Sequence, residues 1–247
     1  MLQNYDANYA NANKMPRYIQ IKYELQQFLA KQNWQFDKAI PSEQELAHEY
    51  GVSIGTIRKA VEVLVEEGVL IKHQGKGTFL KHPAFIKSSL IRFYAFDGED
   101  NERNNLLGVV KVVKSVAPNE KINAILGLAP DAPLIYLERV RVDGDAVVLS
   151  DKIWLSEEKF AGFLSLSPEK FPSRLYPFYF EHCGQMVISA KEQMDFLLNH
   201  ADPYLTGNEE KAVVRVCRTA KGLDGSAVEY RETYGLAENY YYETIIT

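Results

Sequence analysis

The chain has 247 residues, 46% hydrophobic and 25% charged, which is long enough to bury two cores and ordinary for a globular protein. No apolar run can span a membrane, and two cysteines, Cys183 and Cys217, are too few for a disulfide framework, so a reducing cytoplasm is expected. The net charge of −5 divides into +1 over residues 1–82 and −6 over the rest, and it is local charge that decides contact with phosphate.

In chain order, residues 1–15 are polar and Asn-rich, lack a signal peptide's apolar core, and read as a disordered tail. Residues 16–81 read as the first domain. Ile21, Leu25, Phe28 and Leu29 have helical spacing. Pro41-Ser42 with Glu45 three residues on is a capping box, which starts a second helix at Glu43. Gly51 makes a turn, and Ser53 caps a third helix with Ile57, Val61 and Leu64 as its buried stripe and Gly68 as its stop. Two short strands joined at Gln74-Gly75-Lys76 follow. Helix, turn, helix and ribbon are the layout of a winged helix-turn-helix, which reads DNA. A domain of charge +1 binds phosphate modestly, so a homodimer on two half-sites of a double-stranded operator is expected.

Residues 82–88 read as a linker, and 89–247 as a second domain. Strands are expected over 109–116, 134–142, 146–155, 187–193, 213–220 and 227–234, with helices at 119–126 and 174–181. Asp143-Gly144 and Asp224-Gly225 mark hairpin turns. Their flanks, ERVRVDGDAVVLSD and CRTAKGLDGSAVEY, hint at an internal duplication. The fold class is thus α/β in two domains: a mainly α winged helix-turn-helix and an α+β domain around an antiparallel sheet.

Several spaced pieces of the first domain resemble the GntR family of bacterial transcription regulators. They are Pro41-Ser42-Glu43-Gln44-Glu45-Leu46-Ala47, Gly51-Val52-Ser53, Thr56-Ile57-Arg58 and Gly75-Lys76-Gly77-Thr78-Phe79. The second domain is similar to the UTRA effector-binding domain of the HutC subfamily, whose fold resembles chorismate lyase. The matching pieces are Glu138-Arg139-Val140-Arg141 before Asp143-Gly144, Leu175-Tyr176, and Asp224-Gly225 before Val228-Glu229.

The resemblance implies DNA contact by Ser42, Gln44, Ser53, Thr56, Arg58, Lys59, Lys76 and Gly77. Gln44 and Ile54 stand where the family usually has arginine, the side chain that reads guanine bidentately, so the operator is expected to differ from the usual guanine-containing ones. Arg139 and Arg141 share a strand face at i and i+2, a spacing that suits a clamp on a carboxylate or phosphate. The alternative is an exposed face on which they pair with Asp151 or Glu229. The resemblance adds Ala95, Ser150, Tyr176, Glu229 and Tyr234 as effector contacts and implies a small anionic metabolite, a phosphorylated sugar or a carboxylate. Ala95 stands where sugar-phosphate-responsive members carry a hydroxyl. Ser173 is offset by one from their serine-leucine-tyrosine run.

No cofactor or metal is expected. Gly75-Lys76-Gly77-Thr78 lacks a phosphate loop's four-residue spacer, and His48, His73, His82, His182 and His200 lack metal-ligand spacing. The expected function is a ligand-responsive repressor rather than an enzyme. The rivals are a chorismate-lyase-like enzyme fused to a DNA-binding head, and a DNA-binding dimer that needs no ligand.

Overall fold

The structure is a computed structural model that describes residues 15–32, 34–82, 106–205 and 211–239. The expected tail up to residue 14, the linker beyond His82 and Ala95 lie outside the described residues. The chain divides into two compact units, the boundary falling after Ile86, with only the short segment Leu223–Gly225 assigned apart from its neighbours in sequence.

In the first unit, α1 (Arg17–Lys31) buries Ile21, Leu25 and Leu29, four residues apart along one face. Helix α2 (Glu43–Glu49) begins at the expected capping box: Ser42 Oγ accepts from the Glu45 amide at 3.2 Å, and Glu45 Oε2 accepts from the Ser42 amide at 2.7 Å. After a turn at Gly51, whose φ of 62° suits glycine, Ser53 caps α3 (Ile54–Glu66). Ile57, Ala60, Val61 and Leu64 face inward, and Gly68 at φ 74° ends the helix. Strands β1 (Leu70–His73) and β2 (Gly77–Leu80) pair antiparallel from Leu70↔Leu80 to His73↔Gly77, forming the wing. A bridge between Ala39 and Phe79 ties the wing back to the segment before α2.

In the second unit the described residues form a six-stranded antiparallel sheet. Its strands are β3 (Leu107–Val116), β4 (Leu134–Asp143), β5 (Ala146–Ser156), β6 (Val187–Leu197), β7 (Val213–Gly222) and β8 (Ala227–Leu236), in the order β3-β4-β5-β8-β7-β6. That order is symmetric. Two three-stranded meanders, each with an Asp-Gly hairpin between its second and third strands, meet at the β5–β8 pair. The similar flanks of the two hairpins therefore occupy equivalent places in the topology.

One sheet face is packed by α6 (Leu175–Cys183), the short α5 (Glu157–Phe160) and an aromatic cluster of Phe160, Phe163, Phe171, Phe178 and Tyr179. Beneath them lie Ile135 and Leu137 of β4, and Ile153 and Leu155 of β5, as period-two alternation requires. The other face is partly covered by α4 (Glu120–Leu126), where Ile122 and Leu126 pack with Leu134, Trp154 and Tyr230. Helices α4 and α6 both end at a left-handed glycine, Gly127 and Gly184.

Candidate DNA-reading and effector-binding sites

In the first unit the capping geometry that starts α2 and α3 also sets out the polar groups expected at DNA. Ser42, Gln44, Ser53, Arg58, Lys59, Lys76 and Gly77 are exposed and Thr56 is half-buried. Ser53 Oγ accepts from the Thr56 amide at 3.2 Å and lies 2.9 Å from Thr56 Oγ1, so these two hydroxyls act as one pair at the head of α3. Arg58 Nε donates to Glu43 Oε2 at 3.0 Å, and Lys72 Nζ of the wing reaches Glu43 Oε1 at 3.3 Å. Lys59 Nζ sits 4.3 Å above the Tyr18 ring, a contact with α1. Gly77 has φ 120°, and a side chain there would begin 3.1 Å from Ala39 Cβ. Ile54 is exposed at the head of α3, open to an apolar partner such as a thymine methyl.

In the second unit the register fixes which residues share a face. Arg139 stands opposite Asp151, which stands opposite Thr233; Ile153 stands opposite Arg231, which stands opposite Arg218; Leu155 stands opposite Glu229. These residues and Arg141 therefore lie on the α6 side. Asp151 is fully buried and is the hub of the group. It accepts from Arg139 Nε at 2.8 Å, from Arg141 Nε and Nη2 at 3.1 Å each, and from Thr233 Oγ1 at 2.6 Å. Burial acts to raise the Asp151 carboxyl, but the charges of Arg141, Arg139 and Arg231 outweigh it and hold the group well below the usual carboxylate range. Burial draws the Arg139 guanidinium down to about 10, against the pull of Asp151. Arg139 Nη1 also donates to the Ser173 carbonyl at 3.2 Å, and Ser173 Oγ accepts from the Gly108 amide at 2.8 Å.

The second carboxylate, Glu229, accepts from Tyr176 at 3.1 Å, from Tyr179 at 2.7 Å and from Arg231 Nη2 at 2.7 Å. Burial and then Glu229 push both tyrosine hydroxyls above their ordinary value, so they remain donors. Among the described residues the buried Arg231 Nε has no hydrogen-bond partner. Arg218 donates to Tyr176 at 3.3 Å and pairs with Glu192 of β6.

The structure thus brings Arg139, Arg141, Tyr176 and Glu229 onto one face. Both arginines are paired with Asp151, as the alternative expectation had it, but the face is buried rather than exposed. Ser150 and Tyr234 do not join them. They pair with each other across β5–β8 and point to the opposite face, because neighbouring residues of a strand alternate. There Tyr234 donates to Glu232 at 2.6 Å, stacks on His200 at 4.3 Å and lies under Lys152. Local sequence patterns do not single out Arg218, Tyr179 and Glu192. For Arg231 the sequence does carry a signal, since it stands two residues from Glu229 and shares its face. Among the described residues no group of His, Cys, Asp and Glu is arranged to hold a metal, and no helix is long and apolar enough to cross a membrane.

The family model of the bacterial regulatory proteins of the gntR family matches residues 17–80, and that of the UTRA domain matches residues 109–241, more than half of the chain. The HTH-type transcriptional repressor NagR of Bacillus subtilis is 27% identical over 237 residues, covering 93% of this chain and 96% of NagR. The mannosyl-D-glycerate transport/metabolism system repressor MngR of Escherichia coli is 24% identical over 234 residues, covering 93% and 95%. An uncharacterized B. subtilis HTH-type regulator, YurK, is 34% identical over 142 residues, which span 55% of this chain and about half (56%) of YurK. Among solved structures, the possible transcriptional regulator YydK of B. subtilis shares the fold, with a TM-score of 0.53 at 18% identity over 94% of this chain and all of that one. The chain belongs to the GntR family of bacterial regulatory proteins, with a UTRA domain following its winged helix-turn-helix.

Proposed function

We propose that the protein is a transcriptional repressor that binds a double-stranded operator as a homodimer in the bacterial cytoplasm. A small anionic metabolite, a phosphorylated sugar or a carboxylate, releases it. The observation that carries this reading is the composition of one sheet face. Among the described residues it bears four guanidiniums, from Arg139, Arg141, Arg218 and Arg231, against three carboxylates, from Asp151, Glu192 and Glu229. A buried surplus of positive charge is costly and favours an anion, and Arg141 and Tyr176 are the partly exposed members that would meet it. Tyr176, held by Glu229, supplies a hydroxyl for a polyhydroxylated remainder.

The relatives' names agree with this chemistry: NagR and MngR are both called repressors, and MngR's system handles a sugar joined to a carboxylate. A regulatory rather than catalytic role is supported by Asp151, which two arginines hold ionised and hydrogen-bonded, leaving it a poor general acid or base. Dimerisation is supported by β6. It is an edge strand carrying exposed Met194 and Phe196, the latter 67% exposed, and Leu198 just beyond it is 78% exposed. Among the described residues β6 pairs on one side alone, with β7, and an open edge beside an apolar stripe favours pairing with a second chain.

The test is a thermal-shift screen of phosphorylated sugars, phosphonates and small carboxylates, run beside Arg141→Ala. A ligand that binds the native state raises Tm by mass action. The expected result is a hit lost in the variant that also releases the protein from operator DNA. A hit retained in Arg141→Ala would remove the clamp from the reading.

A further inference from the structure

Glu43 is the first residue of α2, yet its side chain reaches away from that helix to two cations on other elements. Oε2 accepts from Arg58 Nε of α3 at 3.0 Å, and Oε1 meets Lys72 Nζ of β1 at 3.3 Å. The three side chains retain 28%, 57% and 42% of their exposure, in the order Glu43, Arg58, Lys72. Ion pairs this exposed contribute little to stability, so the arrangement calls for another explanation.

Its geometry supplies one. An arginine reads guanine by presenting two N–H groups in a plane. Glu43 engages Arg58 through Nε, on the side of the guanidinium. That contact restrains the group through Nε and leaves its Nη1 and Nη2 donors available to another partner. A free arginine would instead sample many rotamers and settle on the nearest phosphate, a contact that carries no sequence information. The same carboxylate also meets Lys72, so one negative charge offsets two cations, one on α3 and one on β1. Burial acts to raise the Glu43 carboxyl, but hydrogen bonds and charge from Arg58 and Lys72 lower it, so it stays ionised at neutral pH. The Ser42–Glu45 capping box fixes where α2 begins and hence where this carboxylate stands.

We propose that Glu43 is a specificity-setting positioning residue. It holds Arg58 in a base-reading orientation and weakens the sequence-independent grip that Arg58 and Lys72 would otherwise exert on the DNA backbone. The inference rests on the DNA-binding head alone and is independent of the effector reading.

The experiment uses the full chain as wild type, Glu43→Gln and Glu43→Ala. Each is measured against a duplex enriched by the wild-type protein from a random library and against a scrambled duplex of equal length, over a range of salt concentrations. Glutamine can still accept from Arg58 Nε but has no charge; alanine removes both functions. For Glu43→Gln, scrambled-duplex affinity should rise several-fold while preference for the enriched duplex is largely kept. For Glu43→Ala, scrambled-duplex affinity should rise similarly, and discrimination should fall on the order of tenfold. In both variants the slope of log affinity against log salt should steepen by roughly 1 to 2, about 0.9 for each phosphate newly contacted. An unchanged salt slope, or a parallel loss on both duplexes, would overturn the proposal. Equal discrimination in the two variants would overturn its orienting half. A merely structural role would lower Tm without moving the ratio between the duplexes.

Discussion

Arg139 and Asp151 face each other across β4 and β5, both buried, with the arginine's Nε 2.8 Å from a carboxylate that Arg141 grips as well. One buried carboxylate therefore holds two guanidiniums, and Thr233 from the other meander supplies its third neighbour.

Asp151→Asn should leave both guanidiniums without their counter-charge. Breaking a buried pair in this way costs about 3–5 kcal/mol. The expected outcome is a large fall in Tm, partly restored by added phosphate or sulfate if anions fill the vacated place. Calorimetry with and without the salt checks it, and an unchanged Tm would contradict the hub described above.

The same residue sets an acid limit. Its carboxyl is depressed in the folded state, so its contribution is fully present above the unfolded value of about 3.9 and is lost as pH falls below that, toward the folded value. Urea midpoints measured between pH 3 and 7 should fall steeply at the acid end for wild type. The curve of Asp151→Asn should lie lower and be flatter there. Parallel curves would show that other carboxylates govern acid unfolding.

Gly108→Ala tests the support behind the clamp. A methyl at Gly108 would lie 2.9 Å from the Ser173 carbonyl oxygen and 3.3 Å from Arg139 Nη1. The nearest obstacle is backbone, so the segment around Ser173 must shift, at a cost of about 1–3 kcal/mol. Ser173→Ala removes only the hydroxyl that accepts from Gly108 and should cost about 1 kcal/mol. Equal Tm values for the two variants would mean that the close approach is relieved cheaply.

Arg58→Ala should weaken operator binding by about 2 kcal/mol or more, roughly thirtyfold. Ile54→Ala should change affinity by less than about 0.5 kcal/mol while altering base preference next to the head of α3. Selection of duplexes from a random pool by each variant separates the two effects. Wild-type affinity in Arg58→Ala would end this docking model.

Phe196→Glu places a charge on the exposed edge strand. Light scattering should then find a monomer that keeps its fold by circular dichroism, with operator affinity reduced on the order of a hundredfold through loss of the second half-site. A dimer that persists would move the interface away from β6.

Much of this architecture can be read from local chemistry. The Ser42 and Glu45 pair marks the start of α2 because an N-cap needs no tertiary partner, and each Asp-Gly turn locates a hairpin for the same reason. Pairing across strands is harder to read, because register depends on elements far apart in sequence. Ser150 and Asp151 are neighbours in the chain, yet a motif defined by position does not say which of them faces Arg139; the β4–β5 register does. Arg218 enters the site only because β7 docks against β8, and no local signal shows that Arg218 and Arg231 will stand side by side.

The symmetric strand order has a mechanical corollary. Among the described residues the two meanders share one line of backbone hydrogen bonds, between β5 and β8, and the charged band crosses it from Arg139 and Asp151 on one side to Thr233, Arg231 and Glu229 on the other. A molecule held by that band acts as a stitch across a seam. Amides of Ser150 to Leu155 and Glu229 to Tyr234 should slow their hydrogen exchange when it is filled, ahead of those in the outer strands.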